Sequence, residues 1–77
     1  MNCLEKVGKE FVVRIYKDKN YGCFCDKVFE DEYSGGLWFE NSQLVDYDGI
    51  SGYLPLEVAK LIEKLGFKVD LNKFCDV

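Results

Sequence analysis

One stretch of this chain has the spacing of an amphipathic helix, and that limits the fold more than any other feature. Leu54, Val58, Leu61, Ile62 and Leu65 recur at steps of three and four, which gathers them into one apolar stripe. Pro55 suits the first helical position, where its fixed φ helps and its missing N–H costs nothing. Gly66 suits the residue just past the end, where the chain turns left-handed. No other segment repeats this pattern. The remaining apolar runs must therefore be strands, and one helix can cover only one face of the sheet they build.

Phe11-Val12-Val13-Arg14-Ile15-Tyr16 is β-branched and aromatic, Lys17 to Asn20 is polar and turn-prone, and Tyr21-Gly22-Cys23-Phe24-Cys25 resumes an extended pattern. A four-residue loop would set Tyr16 opposite Tyr21, Val13 opposite Phe24 and Ile15 opposite Gly22. One face then carries Phe11, Val13, Ile15 and Phe24, and the other Val12, Arg14, Tyr16, Tyr21, Cys23 and Cys25. After Gly35-Gly36, a second hairpin joins Leu37–Glu40 to Gln43–Tyr47 through Asn41-Ser42, with Trp38 opposite Val45 and Phe39 opposite Leu44. Phe67 to Leu71 alternates as a final short strand.

The expectation is a single α+β domain over residues 1–77: a small, mostly antiparallel sheet in ββββαβ order, with one amphipathic helix packed on one face. The face left over displays Val12, Tyr16, Tyr21 and the Cys23/Cys25 pair, more apolar than a solvent face needs to be. It is either an interface or lies beneath the N-terminal residues or the Phe74 tail.

Charge is segregated along the chain. Between Val28 and Ala59 lie seven acids (Glu30, Asp31, Glu32, Glu40, Asp46, Asp48, Glu57) and no Lys or Arg, although the chain has 10 bases. The formal charge of the whole is −4, so the rest is net positive. Trp38, Tyr33 and Tyr47 fall in the same window, and these are residue types enriched in binding hot spots. DNA, RNA and anionic membranes all demand clustered bases, so direct binding to them is disfavoured. A basic protein surface is the complementary partner.

Catalysis and cofactors find little support. The chain has no His, which removes the commonest base and the usual activator of a Ser or Cys nucleophile. Asp46 and Asp48, two apart on a strand, share a face, but nothing else forms a site with them. Asp46-Tyr47-Asp48-Gly49 fails as a calcium loop, because setting Gly49 sixth puts Leu44 first and Pro55 last. Cys23-Phe24-Cys25 is too close-set for a zinc knuckle. The four cysteines (Cys3, Cys23, Cys25, Cys75), with no export signal or membrane span in view, read as reduced thiols in a cytoplasmic protein that is not an enzyme.

Two functional readings follow. The first is a binding module, most concretely an inhibitor that docks on a basic, nucleic-acid-binding protein surface by imitating phosphate spacing. Glu30, Asp31, Glu32, Glu40, Asp46 and Asp48 would supply its charge, and Tyr33, Trp38 and Tyr47 its buried contact. In size, acidity and sheet-plus-helix pattern the whole chain resembles phage-encoded anti-CRISPR and related anti-defence proteins, a likeness of general character that no motif carries. The second reading is a structural or regulatory homodimer joined through the apolar sheet face.

Overall fold

The structure is a computed structural model and describes residues 3–28, 35–49 and 54–74. Within them the chain forms five strands and two short helices: β1 (Cys3–Val7), β2 (Phe11–Tyr16), β3 (Tyr21–Asp26), β4 (Gly35–Glu40), β5 (Gln43–Gly49), α1 (Leu56–Lys64) and α2 (Leu71–Phe74). The strands make one antiparallel sheet in chain order, a small α+β domain. The order differs from ββββαβ at both ends. Cys3–Val7 adds a strand beside β2, and Phe67 to Leu71 contributes a single parallel bridge, Gln43 to Lys68.

Asp70 explains the second difference. Its side chain accepts the Asn72 N–H at 3.1 Å and its carbonyl accepts the Phe74 N–H at 3.1 Å, so it caps a helical turn where alternation suggests a strand. That turn drops Phe74 into the core, edge-on to Tyr47 at 5.8 Å. Through Phe74 the described part of the tail therefore packs on the helix side of the sheet.

The first hairpin has the expected register, with Val13 opposite Phe24 and Ile15 opposite Gly22. The second differs by one residue. Phe39 pairs with Leu44 across Asn41 and Ser42, whose φ values of 54° and 63° suit a type I′ turn, but a bulge then sets Trp38 opposite Asp46 rather than Val45. Without the bulge, Asp46 would oppose Leu37, which is fully buried in the core. Burying an unpaired carboxylate there would be costly, so the extra residue moves Asp46 and Asp48 outward and Tyr47 inward.

Helix α1 supplies Val58, Ala59, Leu61 and Ile62 to a core shared with Val13, Ile15, Phe24, Leu37, Phe39 and Leu44 of the sheet, while Leu65 is half-buried beside it. Its C-terminus closes by two bonds, Phe67 N–H to Ile62 O at 3.3 Å and Gly66 N–H to Glu63 O at 3.0 Å, with Gly66 at φ 98°. This is the Schellman arrangement, and glycine holds that left-handed φ without steric cost. At the other end Glu57 reaches across to the β1–β2 turn. One of its carboxylate oxygens accepts the N–H groups of Glu10 at 2.8 Å and Phe11 at 3.1 Å. Gly8 makes room for this, because a Cβ there would lie 2.6 Å from that same oxygen.

Candidate functional site: the open sheet face

Alternation along the strands sends every second residue to the face opposite α1. Two cross-strand rows organise that face. In one, Glu5 opposes Arg14, Arg14 opposes Cys23, Cys23 opposes Gly36 and Gly36 opposes Asp48. In the next, Cys3 opposes Tyr16, Tyr21 opposes Trp38 and Trp38 opposes Asp46. Tyr16 and Tyr21, which flank the β2–β3 turn, complete this second row by stacking at 5.1 Å and 11°.

The second row is a ladder of rings. Tyr21 meets Trp38 at 6.0 Å and 60°, a tilted contact that leaves the indole unstacked. Tyr16, Tyr21 and Trp38 are each 38% exposed, whereas Cys23, beside them, is only 6% exposed. Small residues, Cys23 and Gly36, thus form a floor beside projecting rings. Val12 and Cys25 are buried on this face as well, outside the main core.

The charges sit at opposite ends. At the β1 end Arg14 is held by Glu5 at 2.6 Å, and this bond raises the guanidinium pKa further. At the β5 end the alternation places Glu40, Asp46 and Asp48 around Trp38, all exposed. One oxygen of Asp46 accepts the Tyr47 N–H at 2.9 Å. No Lys or Arg occurs on β4 or β5. Among the described residues the strands thus bring four acids and one arginine to the open face, and that arginine is already paired.

Of the residues singled out from sequence, Trp38, Glu40, Asp46 and Asp48 come together here. Tyr47 does not, because it faces the core against Phe74. Glu30, Asp31, Glu32 and Tyr33 lie outside the described residues. Glu57, part of the same acidic stretch, spends its carboxylate on backbone N–H groups at the far side of the sheet. Conversely, Tyr16, Tyr21 and Glu5 join the face from outside the acidic window; their signal was the hairpin alternation rather than the charge pattern.

The face offers little reactive chemistry. The Tyr16 hydroxyl lies 3.5 Å from the Cys23 sulfur. Burial pushes the Cys23 thiol pKa up, which keeps it protonated and weakly nucleophilic. The shared hydrogen bond with Cys23 pushes the Tyr16 phenol up to about 12. Cys3, Cys23 and Cys25 are free thiols. Among the described residues no cluster of three or more His, Cys, Asp or Glu could hold a metal, and no helix is long and apolar enough to cross a membrane.

Comparison of the chain with protein-family models, with curated proteins and with solved structures returned no match.

Proposed function

We propose that this is a protein-binding module that works through its open sheet face, docking the Tyr16–Tyr21–Trp38 ladder and its acidic border on a basic protein surface. The observation that carries the reading is the placement of Trp38. It is a large, partly exposed ring ringed by Glu40, Asp46 and Asp48, with no base on either strand to neutralise them. Aromatic anchors supply desolvated contact area, and unpaired carboxylates at their rim steer a cationic partner and select against an anionic one. In its sharpest form the module inhibits a nucleic-acid-binding protein by occupying its basic cleft. In this reading the module acts in a reducing compartment such as the cytoplasm.

A homodimer joined through the same face is the second reading, favoured by the exposure of Val7, Tyr16, Tyr21 and Trp38. Charge opposes it. Two copies face to face would bring together an excess of acids with, among the described strand residues of that face, only Arg14 from each side, and Glu5 already holds that arginine.

The test is capture of partners by tagged protein at about 50 and 500 mM salt, where the Debye length falls from about 14 to 4 Å. Asp46→Lys/Asp48→Lys should lose the salt-sensitive partner, whereas Glu10→Lys/Glu63→Lys, off the open face, should retain it. Equal capture by both double variants would remove the open face from the function, and a concentration-dependent dimer lost with Trp38→Ala would favour the second reading.

A further inference from the structure

The geometry points to arginine as the partner residue that seats on this face, its guanidinium lying on the Trp38 indole and donating to the second oxygen of Asp46; this rests on the docking reading above and specifies its anchor. Three observations converge on it. The Tyr16 and Tyr21 rings are stacked on each other at 11°, so each spends one π face internally, whereas Trp38 meets Tyr21 at 60° and is 38% exposed. Asp46 stands directly across the strand pair from Trp38, at a cross-strand Cβ spacing of about 5 Å. A planar cation can span both. Finally, among the described residues one Asp46 oxygen is engaged, by the Tyr47 N–H, which leaves the other as an acceptor across the strand pair from Trp38.

The chemistry favours guanidinium over ammonium. A guanidinium is planar and weakly hydrated, so it can lie flat on an indole while its N–H edge points at a carboxylate; an ammonium is a compact, strongly hydrated point charge that gains little from a flat ring. Asp48 on the next row and Glu40 on the row before add attraction without geometric demand, so they should serve arginine and lysine alike. Preference for arginine thus belongs to Trp38 and Asp46, and general attraction to the whole border.

Hexa-arginine and hexa-lysine amides, equal in charge, separate these contributions. Calorimetric titration of the full chain at about 50 mM salt should give hexa-arginine a Kd about fivefold lower than hexa-lysine, with a change in emission from Trp38, the only tryptophan. Trp38→Leu should bring the two Kd values together, and Asp46→Asn should weaken hexa-arginine more than hexa-lysine. Each variant is checked by circular dichroism for retained fold. Equal, salt-sensitive binding of both peptides by the parent would overturn the arginine anchor and leave acidic docking standing. An arginine preference that survives in Trp38→Leu would also overturn it. Binding of neither peptide would overturn both the anchor and the docking surface.

Discussion

The two faces of this sheet are made by the same strands, yet they are opposite kinds of surface. Towards α1, alternate residues Val13, Ile15, Phe24, Leu37, Phe39 and Leu44 are nearly all fully buried with the helix. Towards the other side the same strands present the rings and charges of Arg14, Tyr16, Tyr21, Trp38, Asp46 and Asp48 beside the buried Val12, Cys23 and Cys25. The period-2 geometry of a strand makes this division possible, and the β5 bulge decides it for the acidic border. The helix-facing side accounts for stability. The open side carries the exposed rings and carboxylates on which the docking proposal rests.

The largest expected difference between the faces is in stability. Ile62→Ala, at a fully buried position, should cost about 2–5 kcal/mol, comparable with the whole stability of a small domain. Trp38→Ala should cost about 1 kcal/mol, the value of a partly exposed aromatic contact. Urea unfolding of both variants checks this, and similar losses would mean that the open face is core.

Glu57→Ala should cost about 1–3 kcal/mol, because the N–H groups of Glu10 and Phe11 lose a charged acceptor. The change acts on the helix side, so binding by the open face should persist in the folded fraction. A loss of binding at full folding would tie Glu57 to the docking surface.

Deleting Val45 tests how the faces are assigned. Removing the bulged residue leaves a regular ladder in which Trp38 still opposes Asp46 and Leu37 still opposes Tyr47, so stability should change by only about 1 kcal/mol. Unfolding of the deletion variant would show that Val45 has another role.

The smallest expected effect is the pH dependence of the Tyr16–Cys23 contact. Tyr16 has a folded pKa of about 12 against an ordinary 10.0, so its contribution is complete below pH 10 and lost as pH rises towards 12. The raised Cys23 value acts in the same direction, from pH 9.0 upward. Thermal melts between pH 9 and 11.5 should therefore fall more steeply for the parent than for Tyr16→Phe. Parallel curves would dissociate the phenol from folding.

Much of this was legible in the residues. Strict alternation on both sides of a four-residue turn fixes the first hairpin, and Pro55 and Gly66 bracket α1, with Pro55 just before the first helical residue. β1 was not legible, because Cys3-Leu4-Glu5-Lys6-Val7 is an exposed edge strand with no apolar alternation to mark it. The bulge was hidden because a two-residue turn ordinarily implies a regular ladder. Glu57 looked like one more surface acid, and its partners, 46 and 47 residues away, lie beyond any local pattern. Charge counting alone also grouped Tyr47 with Trp38; the bulge puts them on opposite faces.

The most direct test of the open face needs no partner, because Trp38 is the only tryptophan and reports on its own surroundings. Its emission is quenched with caesium and with iodide at low ionic strength, each normalised to quenching of N-acetyltryptophanamide. An exposed indole bordered by Glu40, Asp46 and Asp48 should be relatively accessible to the cation and shielded from the anion, with the order reversed in Asp46→Lys/Asp48→Lys. Protection from both ions, or equal access for both, would contradict an exposed aromatic ladder with an acidic border.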